Sequence, residues 1–395
     1  MGPAILIVSG GAESVSAAVV EWAISAGQTV SVFALVEKSL LAGAIPRSAL
    51  HYAPEGSYGE VLSGLVEHVT AMRKHSAAPV LAFATEDDSL RLLLEANERL
   101  GDDVLQCSRC RAVPGGGLDK AALFSKLLTA GFGHCIADTL VLSQEADVGP
   151  AVARFGTNLV LKPSSKPFGS VLINGAKVHV GPDLSRKEAL LERSRDFQAG
   201  RTWVAQRRLM PIHGGERSAC VVRDAFGNVR YAEVVEWVKY PARGGSACIV
   251  ESQPGSLLLR DVTLNILDAI DAVGIIELSF LADEEGAPRL LELNVRPWLQ
   301  IELLQKSGFD MLGDALRALE GAAVPPGVVE LERRSWLSLE RLTLKLASGD
   351  GGGRGETLAA VWPAFLRRPV LSVWCSRLKG FKSRWAWRML RKARS

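Results

Sequence analysis

Six segments in the first hundred residues alternate between two patterns, and that alternation restricts the fold more than any other feature of the chain. "AILIVSGG", "TVSVFAL" and "PVLAFAT" are short apolar runs. "ESVSAAVVEWAISAG", "YGEVLSGLVEHVTAMRKH" and "EDDSLRLLLEANERLG" are longer and carry apolar residues at helical spacing. Strands and helices in this order build a parallel sheet, because each helix carries the chain back across the sheet before the next strand starts. The expectation is a Rossmann-like α/β layer over residues 1–115. Its first turn, "SGGAES", lacks the spaced glycines of a dinucleotide fingerprint, so no dinucleotide site is expected there. "FATEDDS" places Glu86, Asp87 and Asp88 at a strand end. Open α/β sheets bind ligands there, and acidic residues also cap helices there, so the sequence leaves both readings open.

The alternation stops at "VPGGGLDK", Val113 to Lys120, which reads as a linker because three glycines follow a proline. Beyond it a helix "KAALFSKLLTAGF" and a strand "NLVLKP" precede a long variable segment. The strand-like runs "TWVAQRRL", "SACVVRD" and "VRYAEVVEWVKY" then lead to the Gly-rich loop "PARGGSACIVES", a helix "LLLRDVTLNILDAIDAVG" and a hairpin. Helices and antiparallel strands are mixed here, which indicates α+β. Further breaks fall at "VPPGVVE" and "SGDGGGRGE". The expected division is an α/β domain over 1–115, an α+β domain over 116–325, and a C-terminal extension over 326–395.

The hairpin is "GIIELSFLADEEGAPRLLELNVRPW", with "ADEEGAP" as its loop. Successive strand side chains point to opposite faces, so Glu292, Asn294 and Arg296 share a face and Leu291, Leu293 and Val295 share the other. A register with an odd index sum adds Glu277 to the polar face and joins Ile276, Leu278 and Phe280 to the three apolar residues. Two carboxylates and an amide oxygen suit Mg²⁺ completed by phosphate oxygens. Arg296 would then neutralise a phosphoryl oxygen or grip a carboxylate. The alternative is a solvated face on which Arg296 pairs with Glu292 or Glu277. Upstream, "NLVLKPSSKPFGSV" puts Lys162 at a strand end before Ser164, Ser165, Lys166 and Gly169, a loop that would let amides, hydroxyls and lysines reach phosphate. It is not a Walker A loop.

In order, these features are Lys120 opening a helix, Lys162 on a strand before a small-residue loop, a strand bearing Gln206, then Glu277 and the ExNxR run. They resemble the ATP-grasp superfamily of carboxylate–amine ligases over about residues 1–325. "YPARGGSACIVES" is similar to the loop of the branch near D-aspartate ligase and carbamoyl-phosphate synthetase-like proteins. The resemblance implies a bilobed ATP-grasp fold behind a Rossmann-like layer, using ATP and Mg²⁺, with Mn²⁺ as an alternative metal. It assigns Lys120 and Lys162 to the ATP phosphates, Gln206 to adenine or ribose, and Glu277, Glu292 and Asn294 to the metal. Arg296 would stabilise the transferred phosphoryl group. Arg243, Gly244, Gly245 and Ser246 would cover the acceptor carboxylate, Arg223 would be a further substrate cation, and Glu216 a ribose or substrate contact. Trp298 is expected either to wall the acceptor pocket or to lie in the core. The loop after Lys162 has one glycine where relatives often have several, and Gln206 replaces a position often acidic in relatives. The implied reaction makes an acylphosphate from a small-molecule carboxylate and passes the acyl group to an amine. An ATP-binding scaffold or sensor and a small-molecule kinase are the alternatives.

Six cysteines scattered over 395 residues do not form a disulfide framework, and no apolar run reaches the roughly 20 residues a spanning helix needs. "MGPAILIVSGG" reads as a first strand, and the expected compartment is the cytoplasm. Cys107 and Cys110 in "CSRC" lack a second pair at zinc-site spacing, so they read as one buried and one surface thiol. His213 in "MPIHGGERS" reads as a turn residue. Net charge is +3, but no acidic residue follows Glu356 and the ten bases after it leave the preceding chain at −7. With Trp362, Trp374, Trp385 and Trp387 among them, these bases would lie on an anionic membrane surface or polymer, or on the protein's own acidic body. Nucleic acid is not an expected partner.

Overall fold

The structure, a computed structural model, describes residues 4–165 apart from 12, 37–38, 44, 75–77 and 102–103, then 178–179, 200–209, 215–240, 246–338, 341–342, 345 and 369–371. Arg243, Gly244, Gly245, Lys166, Gly169, His213 and the four tryptophans of the tail lie outside these residues.

The alternating N-terminal segments become β1 (Ile5–Ser9), α1 (Glu13–Ser25), β2 (Val30–Ala34), β3 (Leu50–Tyr52), α2 (Tyr58–Arg73), β4 (Val80–Ala84), α3 (Asp87–Leu100) and β5 (Leu105–Gln106). Their sheet runs β3-β2-β1-β4-β5 and is parallel throughout. β1 and β4 are buried at every residue, as a parallel sheet covered on both faces requires. The order reverses between them, so the turns after Ser9 and Ala84 face the crevice at a topological switch point.

β6 (Arg109–Cys110) then leaves this layer and pairs with β14 (Ala272–Ala282) of a second sheet. Cys107 and Cys110 are therefore both buried, at 5% and 1% exposure, and the expected surface thiol is not found. The glycine run after them is a packed turn, not a free linker. Gly115, Gly116 and Gly117 all have positive φ, and a Cβ on Gly117 would lie 2.9 Å from Cys110 Sγ and 3.2 Å from both Leu293 and Val295. Only glycine meets both demands. Gly117→Ala is expected to cost about 1–3 kcal/mol, from the left-handed backbone and the overlap together; a lower melting temperature checks it.

A small sheet follows, with α4 (Lys120–Thr129), β7 (Thr139–Leu142), α5 (Val148–Phe155), β8 (Leu159–Pro163), β9 (Val178–His179) and β10 (Trp203–Arg207). Its order is β7-β10-β8-β9, antiparallel in every pairing. Leu159, Leu161, Trp203 and Ala205 pack on Ala151 and Phe155 of α5. Alternation turns Lys162, Val204 and Gln206 to the opposite face.

The large sheet contains β11 (Glu216–Arg223), β12 (Val229–Tyr240), β13 (Ser246–Gln253), β14, β15 (Pro288–Asn294), β16 (Gly327–Val328), β17 (Ser335–Leu337) and β18 (Pro369–Leu371). It runs β15-β14-β11-β12-β13-β17-β18, with β16 beside β12 and β6 beside β14. Of the basic extension, the described Pro369–Leu371 thus forms an edge strand, parallel to β17. One face is covered by α6 (Leu257–Ile270) and the other by α7 (Ile301–Lys306) and α8 (Met311–Leu319). A single apolar cluster runs from Leu6 and Val8, through Leu123 and Phe124 of α4, to Ile276, Leu278 and Leu293. The β14–β15 strands are thereby packed against the N-terminal layer. No described helix is long and apolar enough to cross a membrane.

Candidate active site

The β14–β15 register is odd where the polar residues lie. Glu277 pairs with Asn294, Leu278 with Leu293 and Ser279 with Glu292. After Ser279 the register shifts, and Phe280 pairs with Leu290. Leu291 is the extra residue of this bulge. Leu290, fully buried, therefore takes the core place expected of Leu291. The released Leu291 carbonyl accepts a hydrogen bond from Lys162 Nζ at 3.0 Å. The small sheet is thus tied to the hairpin beside Glu292.

Lys120 arrives by a different route. Asp119 caps α4 by accepting from the Ala122 amide at 3.0 Å. Ser164, two residues after Lys162, takes the Lys120 amide on its carbonyl oxygen and the Ala121 amide on Oγ, both at 2.9 Å, and its hydroxyl donates to Asp119. The helix start is stitched to the strand end, so both lysines stand over β15. Lys120 Nζ lies 3.5 Å from Glu292 Oε1.

Glu277 is 4% exposed and accepts from Ser218 Oγ at 2.8 Å and from Asn294 Nδ2 at 2.9 Å. Burial, reinforced by the Glu236 carboxylate, raises its pKa well above the usual carboxylate range, while the two donors oppose the rise. Asn294 Oδ1 accepts from Arg296 Nη2 at 3.3 Å. Arg296 itself is gripped by Asp87, with Nη2 at 2.6 Å and Nε at 2.8 Å from one carboxylate oxygen. Asp87 does most to favour its charge, and Glu277 and Glu292 add to it. Asp87 is the first residue of α3, so the acidic strand end of the parallel layer reaches into the hairpin. Its neighbour Glu86 accepts the Gly11 amide at 2.9 Å across the switch point.

Beyond Glu277 lies a buried ionic cluster. Lys239 Nζ bridges Glu216, at 2.5 Å, and Glu236, at 3.0 Å, and Gln300 Nε2 donates to Glu236 at 2.8 Å. Burial works against the charge on Lys239, but Glu236 and Glu216 outweigh it and its pKa is raised. Sequence reading passed over Glu236, Lys239, Gln300, Ser218 and the Asp87 contact. Residues 236 and 239 are an odd number apart and should face opposite ways, but register shifts at Val238 bring them together. Only the pairing of β12 with β13 reveals that.

Gln206 is 1% exposed on the Lys162 face of the small sheet. Its Nε2 donates to Thr139 Oγ1 at 3.0 Å, and Thr139 Oγ1 donates to the Ala137 carbonyl, which fixes the orientation of the amide. Gln206 Oε1 is then a buried acceptor without a partner among the described residues. Ser246 opens β13 and is exposed. Arg223 is not brought to this place, and Trp298 takes the second of its two expected positions, in the core. Arg223 sits seven residues along β11 from Glu216, about 24 Å away at strand rise, and binds Asp268 and the Leu267 carbonyl at the end of α6. Trp298, 3% exposed, packs in the core with the α7 and α8 residues because the chain turns inward at Pro297.

Two lysines and an arginine face two carboxylates and an amide at one strand end, between a small antiparallel sheet and a large, mainly antiparallel one. The same architecture occurs in N5-carboxyaminoimidazole synthetase from Staphylococcus aureus complexed with ADP, with a TM-score of 0.62 and 15% identity over 85% of this chain and 82% of that one. Biotin carboxylase from Campylobacter jejuni, in its β-γ-ATP complex, follows at TM-score 0.58 and 17% identity over 82% and 72% of the two chains. The fold is ATP-grasp. L-amino acid ligase from Bacillus licheniformis shares it at TM-score 0.57 and 15% identity over 80% and 74%. No protein-family profile matches the sequence, and no curated protein matches it. In this ATP-grasp chain the small sheet presents Lys162 and Gln206, and the large sheet presents Glu277, Glu292 and Asn294. No ready-made cluster of three or more His, Cys, Asp or Glu side chains for a metal is present among the described residues.

Proposed function

We propose that the chain is an ATP-dependent carboxylate–amine ligase that activates a small-molecule carboxylate as an acylphosphate and joins it to an amine, releasing ADP and phosphate. The observation that carries this reading is the meeting of Lys120, Lys162, Glu277, Glu292, Asn294 and Arg296 at one end of the β14–β15 hairpin.

The residues fit the nucleotide and the metal. Gln206 Oε1 is a buried orphan acceptor, and leaving such a group unmet costs about 1–3 kcal/mol. The adenine amino group would satisfy it, whereas the guanine 6-oxo group would not. Glu277 and Glu292 with Asn294 form an oxygen donor set of the kind Mg²⁺ uses when phosphates complete its shell, which accords with the scarcity of protein ligands. Mn²⁺ suits the same donors. When bound, the metal supplies neutralisation of phosphate charge and alignment of the transferred group.

The protein's own groups account for the rest. Lys120 and Lys162 would hold phosphate oxygens, and Arg296, oriented by Asp87 and Asn294, would meet charge developing on the transferred phosphoryl group. An oxygen of the substrate carboxylate attacks the γ-phosphorus and the bond to ADP breaks. The amine nitrogen then attacks the acyl carbon, the bond to phosphate breaks, and the nitrogen loses a proton. Lys239, Glu216, Glu236 and Gln300 border the site on the side of Ser246, where Arg243, Gly244 and Gly245 would cover the carboxylate. No protein nucleophile is needed.

The test is ADP release with MgATP across a panel of carboxylates, with and without hydroxylamine as surrogate amine, and with trapped hydroxamate measured in parallel. Hydroxamate formed with one carboxylate is the expected result. ADP release that yields a stable phosphorylated product and no hydroxamate would instead establish a kinase. MgATP binding without turnover across the panel would favour a sensor or scaffold.

A further inference from the structure

The large sheet carries a cavity on the face turned away from Glu277. β11 and β14 lie side by side, with Ser218 opposite Ser279 and Arg217 opposite Phe280. Ser218 points to the Glu277 carboxylate, so alternation sends Arg217 and Phe280 to the other face. There they line a cavity of about 400 Å³ together with Ser256, Leu258 and Leu259 at the start of α6 and Pro288 at the start of β15. That volume lies in the range of small-molecule sites.

Its polar wall is built with care. Glu233, on β12, has a fully buried side chain. One of its oxygens accepts from Tyr231 Oη at 2.7 Å and from the Ser256 amide, and the other from Arg217 Nη1 at 3.3 Å. A buried carboxylate is a poor source of stability. What this one accomplishes is to fix a guanidinium, about half exposed, at the edge of an apolar cavity. Arginine has five N–H donors, and among the described residues Glu233 engages Nη1 alone. The opposing surface is leucine, phenylalanine and proline, and Leu258 is 59% exposed.

We propose that this cavity binds an organic monoanion with an apolar body, a carboxylate or sulfonate whose charged end rests on Arg217 and whose body lies against Leu258, Leu259, Phe280 and Pro288. The inference does not rest on the ligase reading, because the cavity and the Glu277 site lie on opposite faces of the sheet. A bound ligand would touch both strands that carry Glu277, Glu292 and Asn294.

The test uses the full chain and two fluorescent probes, 1-anilinonaphthalene-8-sulfonate and N-phenyl-1-naphthylamine, which is the same body without the sulfonate. The sulfonate is expected to bind at a single saturable site about tenfold more tightly than the neutral probe, as a charge-assisted hydrogen bond supplies. That preference should vanish in Arg217→Met, and saturating MgATP should leave it unchanged. Leu258→Asp, at an exposed position outside the Glu233 network, should lose both probes, and it decides the matter if Arg217→Met fails to fold. Equal affinity for the two probes in the wild type, unaltered sulfonate binding in either variant, or displacement by MgATP would overturn the proposal.

Discussion

Glu292→Gln is expected to lower Mg²⁺-dependent ADP release by ~10³-fold, the scale on which a metal ligand acts in phosphoryl transfer. Glutamine keeps the shape of the side chain and removes its charge. The fold should tolerate the change, because the Glu292 side chain is 27% exposed and its ion pair with Lys120, at 3.5 Å, lies at a partly exposed place. A pair of this kind contributes less than ~1 kcal/mol. Melting temperature should therefore stay near that of the wild type while turnover disappears. Raising Mg²⁺ should restore little, since the lost ligand is also one of only two carboxylates in the donor set. Wild-type turnover in the folded variant would remove Glu292 from the site.

Lys162→Met should reduce kcat/KM for ATP by ~10²–10³-fold, the range seen when a preorganised charge is deleted. Its effect has two sources. The ammonium group is lost from the phosphate position, and the Leu291 carbonyl loses the donor that fixes the bulge beside Glu292. Lys162→Arg should not rescue it, because a planar guanidinium cannot occupy a 5%-exposed position shaped for a compact ammonium. Initial rates over a range of ATP concentrations, with a melting curve for each variant, check both statements. An arginine variant with near wild-type kcat/KM would show that charge alone matters and that the bulge contact does not.

Much of this arrangement is legible in the sequence because alternation in strands is local. Glu277, Glu292, Asn294 and Arg296 follow from a period of two on a hairpin with an apolar face to bury, and the parallel layer follows from the strand–helix repeat. Lys162 is a phosphate candidate from the small-residue loop that follows it, whereas Lys120 becomes one only through the order of motifs that resembles the ATP-grasp superfamily. Arg223 lies away from the site, and Trp298 takes the core place of its two readings, for a definite reason. Residue type and proximity in sequence do not say how far along a strand a side chain lies, or which way the chain turns after a proline.

Wherever strands run without interruption, residue order alone sets which side chains share a face, since the pleat allows nothing else. Tertiary structure decided three things. It placed bulges at Leu291 and Val238, where the demand to bury Leu290 and to pair β12 with β13 overrides alternation and brings Lys162 to a carbonyl and Lys239 to Glu236. It turned the three glycines at 115–117 from a linker into a turn packed against Leu293 and Val295. And it sent Asp87 from the parallel layer to Arg296, a contact between residues far apart in the chain that no local pattern encodes, because it exists only once the two sheets share one core.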